Sequence, residues 1–174
     1  VDARLEAGGK EGPLLLAFFL AAACAAPVWG VLAERHGPKR VLLAAMALSI
    51  LSLGGAVFLG AGDWAWFAVI CLVSGAALGA DLTLLPAIFA ARMAQISPGA
   101  TDGFGLWSFV SKFTLAFAAV TLLPALQAAG FNSAGDSPAA ALTLLAVLYA
   151  LVPCGLKLFA MALLVATPIK GALA

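Results

Sequence analysis

The spacing of its charges constrains this chain most. Residues 12–33 and 41–62 are two runs of 22 residues without an Asp, Glu, Lys or Arg. Residues 64–91 are interrupted once, at Asp81, residues 103–135 once, at Lys112, and residues 137–169 once, at Lys157. A bilayer core of roughly 30 Å is crossed by about 20 apolar residues in a helix. Lipid offers the backbone no water, so each crossing closes its own hydrogen bonds as a helix. The pattern predicts an all-α integral membrane fold with five transmembrane helices, near 13–33, 41–61, 65–91, 104–128 and 139–168. Composition agrees: 64% of the 174 residues are hydrophobic and 10% charged, against about 25% charged in soluble domains. A chain this small cannot hide so much apolar surface from water. The net charge of +1 excludes a polyanion-binding domain, so no nucleic-acid partner is expected. Cys24, Cys71 and Cys154 lie in apolar stretches and read as small buried hydrophobes rather than a disulfide or zinc framework.

Basic residues set the orientation. Arg35, Lys39 and Arg40 crowd one short connection, Arg92 ends the third span and Lys170 follows the fifth. With alternating spans, all five fall on one side. The other side holds Arg4, Lys10, Asp63 and Asp136. The positive-inside rule makes the Arg35–Arg40 side cytoplasmic, so this segment starts outside and ends inside a bacterial inner membrane, with Trp64 and Trp66 at an outer boundary. The first residue is Val and residues 1–12 show no signal-peptide order, which reads as a processed or truncated chain. Gly37-Pro38, Ser97-Pro98-Gly99 and the stretch from Asn132 to Pro138 are turn signals. Pro27, Pro86, Pro124 and Pro153 lie inside spans and are expected to kink them. Gly75 and Gly79 form a GxxxG pattern that suits close helix packing.

An ionisable side chain inside a membrane is costly and usually faces the bundle or a cavity. At 1.5 Å per residue, Asp81 lies roughly 15 Å and Lys112 roughly 12 Å from the cytoplasmic side. That common depth predicts that the two share one polar site, each offsetting the other's desolvation. Lys157 reads as a lysine that snorkels to headgroups. Gly105, Ser108 and Lys112 share a helical face, and Trp107 lies nearby. Room, a hydroxyl, a charge and an aromatic platform suit a sugar-like or anionic solute. No Ser–His, His–Glu–His or paired-carboxylate arrangement occurs within a span, and no Walker-type loop is present, so neither an enzyme, a cofactor nor direct ATP use is expected.

Two motifs carry a resemblance. Gly30-Val-Leu-Ala-Glu34-Arg35-His36-Gly37-Pro38-Lys39-Arg40 resembles the loop signature of the major facilitator superfamily, G-x-x-x-(acid)-(basic)-x-G-x-(basic)-(basic), with Glu34 where Asp is usual. In that pattern Gly30 permits close helix approach and Glu34 caps a helix or holds a basic residue. Gly37 makes the turn, and Arg35, Lys39 and Arg40 hold the anionic leaflet. His36 is expected in solvent. The stretch Gly79-Ala-Asp81 to Pro86, then Asp102-Gly103-Phe-Gly105-Leu-Trp107-Ser-Phe-Val-Ser-Lys112, running on to Gly130-Phe131, resembles the carboxy-terminal half of the glycoside–pentoside–hexuronide cation symporters, the melibiose-permease-like family. Pro153 with Lys157 resembles its last span.

The resemblance covers about residues 13–169. It implies that residues 1–174 are a carboxy-terminal transmembrane domain, its helices being spans eight to twelve of a twelve-span major facilitator fold. It also implies a secondary active symporter that moves a sugar-like or other small polar solute with Na⁺ or H⁺ by alternating access. Lys112, Asp81, Ser108 and Trp107 would then serve substrate or coupling. The partners it implies are the solute, Na⁺ or H⁺, the lipid bilayer and a missing amino-terminal half that holds the cation-binding acids. The family's acids after the proline are replaced here by Ala87-Ile-Phe-Ala-Ala-Arg92-Met-Ala-Gln95. That departure leaves a second reading: a non-transporting membrane scaffold or degenerate half-carrier.

Overall fold

A computed structural model describes residues 11–56, 63–96, 101–128, 130, 148 and 151–167. The expected termini with Arg4, Lys10 and Lys170, the Ser97-Pro98-Gly99 turn, the loop from Asn132 to Pro138 and most of the first half of the fifth span lie outside these residues. The described chain is helical throughout, in five helices: α1 Glu11–His36, α2 Pro38–Gly55, α3 Trp64–Ile96, α4 Thr101–Ala128 and α5 Val152–Ala166. The first four are long and apolar enough to cross a bilayer, and α5 is a shorter apolar helix.

The connection carrying the superfamily-like motif is tighter than a loop. Helix α1 runs on to His36, and α2 begins at Pro38. Gly37 alone makes the corner, with φ 86°, a left-handed conformation that glycine adopts without a Cβ penalty. Its N–H closes α1 on the Ala33 carbonyl at 2.9 Å, while its own carbonyl takes the first bond of α2, from the Val41 N–H at 3.3 Å. Pro38 suits a first turn, where its missing N–H costs nothing. Helices α1, α3 and α4 continue through Pro27, Pro86 and Pro124. Pro153 falls in the first turn of α5, preceded by π-helical backbone at Leu148 and Leu151; the stretch from 139 to 147 lies outside the described residues.

Helix α3 is the centre of the bundle. Its most extensive contact is with α1, and glycine makes it possible. A Cβ built on Gly75 would stand 2.3 Å from the Phe18 carbonyl oxygen, and one on Gly79 would stand 2.4 Å from that of Ala22. Between these points the Trp29 indole N–H donates to the Ala76 carbonyl at 2.7 Å. Among the described residues no helix approaches Gly30 closely, since a Cβ there would meet nothing within 4 Å. Helix α2 covers another side of α3: Ala33, Val41, Leu42, Ala45, Met46, Ala80, Leu84 and Ile88 form one buried cluster. Within the span, the Ile70 carbonyl accepts from Ser52 at 3.0 Å and Ser74 at 2.7 Å. Because Ala33, Val41 and Ile88 share that cluster, the end of α3 with Arg92 lies at the same end of the bundle as Arg35 and Arg40.

Helix α5 lies chiefly against α2. Ala160, Met161 and Leu164 pack on the cluster, and the Cys154 thiol donates to the Ile50 carbonyl at 3.7 Å. Cys71 and Cys154 are buried, as expected, but Cys24 is exposed on α1. Helix α4 stands apart. It contacts the other described helices sparsely, and its side-chain hydrogen bonds from Ser111, Thr114 and Thr121 all return to its own backbone.

Candidate functional site

The four nominated solute or coupling residues do not converge. Asp81, on the central helix, is claimed by Lys157 of α5: Nζ donates to Oδ2 at 2.6 Å, with the two side chains 16% and 17% exposed. The expected Asp81–Lys112 pair is therefore not formed, and Lys157 does not snorkel. The physical reason is the position of α5, which packs on α2 and lets Lys157 reach past it to α3. Lys157 stands at a depth that matches Asp81. Lys157 is ten residues before Thr167, again roughly 15 Å at 1.5 Å per residue. The second oxygen of Asp81, Oδ1, is buried and accepts no hydrogen bond from the described residues.

Trp107 faces α3. Its ring lies 4.9 Å from that of Phe89, tilted by 43°, and Phe104 meets Phe89 edge-on at 5.3 Å. The Phe89 and Trp107 rings help wall a cavity of about 460 Å³ between α3 and α4, whose other lining residues are Met93, Gly103, Leu106, Val110 and Ser111. The walls are apolar, and the Ser111 hydroxyl is spent on the Trp107 carbonyl at 2.8 Å.

Lys112 lies five residues after Trp107, about 140° around the helix at 3.6 residues per turn. Ser108 and Gly105 lie on the same side, and all three are exposed. A Cβ on Gly105 would meet nothing within 4 Å. Among the described residues Lys112 has neither an ion pair nor a hydrogen bond. Asp81 and Lys157 cancel one another, so Lys112 is the unbalanced intramembrane charge. Beside it Phe109, Phe113 and Phe117 stack along an exposed edge of α4, with centroids 6.0 and 6.4 Å apart.

The motif at the α1–α2 corner behaves differently from expectation at two positions. Glu34 is exposed and neither caps a helix nor holds a base among the described residues. Lys39 does not point to a leaflet. Its Nζ donates to the carbonyls of Val165 at 3.1 Å and Thr167 at 2.7 Å. These are carbonyls that the end of α5 leaves without helical partners, and a cation there also suits the helix dipole. Arg35, Arg40 and His36 are exposed, His36 as the last residue of α1 with Nδ1 3.3 Å from the Leu32 carbonyl. No signal in the sequence announced the Lys39 cap, because its partners lie 126 and 128 residues away.

A family model described as MFS/sugar transport protein matches residues 5–171. The chain belongs to this family of the major facilitator superfamily. It is thus a transporter of the major facilitator type and a multi-pass membrane protein, and membership speaks for transport rather than catalysis. No curated protein and no solved structure shows significant similarity to the chain. Within a major facilitator transporter, two tasks separate on these helices. The Asp81–Lys157 pair and the Lys39 cap tie α5 to the bundle, while Ser108 and Lys112 stand on a face that the described residues leave open.

Proposed function

We propose that this chain is the carboxy-terminal transmembrane domain of a secondary active symporter of the melibiose-permease-like type, contributing spans eight to twelve. It would move a sugar-like or other small polar solute, coupled to Na⁺ or H⁺, by alternating access. The observation that carries this reading is the unpartnered ammonium of Lys112 on the open face of α4, beside Ser108 and Gly105. An isolated charge in the bilayer costs several kcal/mol, and a solute with an acceptor-rich or anionic group would offset that cost. Helices that rock around a fixed site at the interface of two halves would expose this face in turn to each side. The amino-terminal half of the same carrier would complete the path and hold the coupling cation. Asp81 takes the lesser part here: held by Lys157, it serves the solute through the position of α3.

The basic end with Arg35, Arg40 and Arg92 supports a cytoplasmic placement for that end in a bacterial inner membrane. This segment then starts outside and ends inside. The test is uptake of radiolabelled glycosides and sugar acids by vesicles containing the complete carrier, both halves present, with Lys112→Met. Uptake should fall at least a hundredfold while folded yield and melting temperature stay at the parent level. Unchanged uptake would overturn the assignment of Lys112, and a parent carrier that takes up none of these solutes would favour the scaffold reading.

A further inference from the structure

The cavity between α3 and α4 is on the side of α4 opposite Lys112 and is not used by the solute reading. We propose that it binds an anionic phospholipid, with an acyl chain between Phe89, Leu106, Trp107 and Val110 and the phosphate on Arg92.

Three observations converge on this occupant. First, the walls suit a chain and not a sugar, because the one hydroxyl in the lining, that of Ser111, already donates within its helix. Second, two donors stand beside the cavity. The Trp107 indole N–H has no partner among the described residues. Arg92, the residue before wall residue Met93 and about 60° around α3 from Phe89, is exposed, and its one hydrogen bond there is to Gln95 Oε1 at 3.3 Å. A guanidinium and an indole N–H call for an occupant with acceptors at one end and hydrocarbon at the other. Third, wall residues Met93 and Gly103 place the cavity toward the bundle end that also carries Arg35 and Arg40, the level at which a charged headgroup rests. Asp102, the acidic side chain next to wall residue Gly103, lies in the first turn of α4, where the helix N-terminus attracts it. The segment from Ala87 to Gln95 carries one arginine and no acid, so this stretch of α3 has no carboxylate to repel an anion.

The experiment places the full chain in vesicles of phosphatidylethanolamine with an equal fraction of either brominated phosphatidylglycerol or brominated phosphatidylcholine. Bromine on the acyl chain quenches tryptophan on contact, and subtraction of the Trp107→Phe signal isolates Trp107 from Trp29, Trp64 and Trp66. Trp107 should prefer the phosphatidylglycerol by about fivefold in apparent affinity, the worth of one basic side chain at an anionic surface. Arg92→Gln should remove the preference and leave quenching by both lipids. Equal quenching by both lipids in the parent, or a preference that survives Arg92→Gln, would overturn the proposal. So would a Trp107 that neither lipid quenches, the result expected if a protein segment fills the cavity. Lys112→Met leaves this readout untouched, so failure of the lipid site and failure of the solute site are separable.

Discussion

Replacement of Gly75 by alanine should destabilise the protein, against the ordinary sign for a helix. In a helix interior Ala is favoured over Gly by about 1 kcal/mol. Here the added Cβ would stand 2.3 Å from the Phe18 carbonyl oxygen and 3.0 Å from its carbonyl carbon. The obstruction is backbone, so no rotamer change relieves it. Reaching an ordinary contact of 3.4 Å requires α1 and α3 to part by about 1 Å. Overpacking of this kind costs about 1–3 kcal/mol. The same movement stretches the neighbouring Trp29–Ala76 bond from 2.7 Å beyond hydrogen-bonding range, a further loss of about 1 kcal/mol. Set against the propensity gain, the net loss is about 1–3 kcal/mol. For a chain of this size that corresponds to a fall in melting temperature of roughly 2–12 °C, read by intrinsic fluorescence in a mild detergent. Gly79→Ala, with its Cβ 2.4 Å from the Ala22 carbonyl oxygen, should behave alike. Gly30→Ala, on α1 with nothing within 4 Å of its Cβ, should hold or raise the melting temperature. A Gly75→Ala protein that melts with Gly30→Ala, at or above the parent, refutes the close packing of these helices.

Three further outcomes follow from the same geometry. Lys157→Met should cost about 3–5 kcal/mol by stranding a mostly buried carboxylate, and adding Asp81→Asn should recover a large part of that loss; strictly additive losses in a double-mutant cycle would contradict the pair. Lys39→Met should leave the core intact and cost about 1 kcal/mol at the end of α5, seen as faster hydrogen exchange at residues 163–167. Trp29→Phe should cost about 1 kcal/mol through the lost indole bond, and in Gly79→Ala, where that bond is already broken, it should cost less.

The five helices were legible because hydropathy and charge act along the chain. The uncharged run from Gly12 to Ala33 and the lone glycine at position 37 each carry their own instruction. Gly75 and Gly79 advertised close packing, although the identity of the partner, the backbone of Phe18 and Ala22, was not written beside them. The intramembrane charges were legible as a set but not as pairs. Asp81 had two lysines at similar depth, and the choice of Lys157 was made by the packing of α5 on α2 through residues such as Ala160 and Met161, a long-range contact with no local signature. The role of Lys39 is hidden for the same reason: a basic residue at a membrane surface suits a headgroup and the carbonyls of a distant helix end equally well. Trp107 and Lys112 looked like one site because five residues seem close in a string, whereas the helical turn sets them on nearly opposite faces.

The Asp81–Lys157 pair also imposes an order on synthesis. The two residues are 76 positions apart, so at about 5–20 residues per second the ribosome adds the lysine roughly 4–15 s after the aspartate. Through that interval α3 carries a carboxylate that costs about 2.5–3.5 kcal/mol at a helix centre. The apolar remainder of α3 is what lets it enter the membrane unaided. Arrival of α5 then cancels the charge, so α3 enters the membrane before its own carboxylate is neutralised.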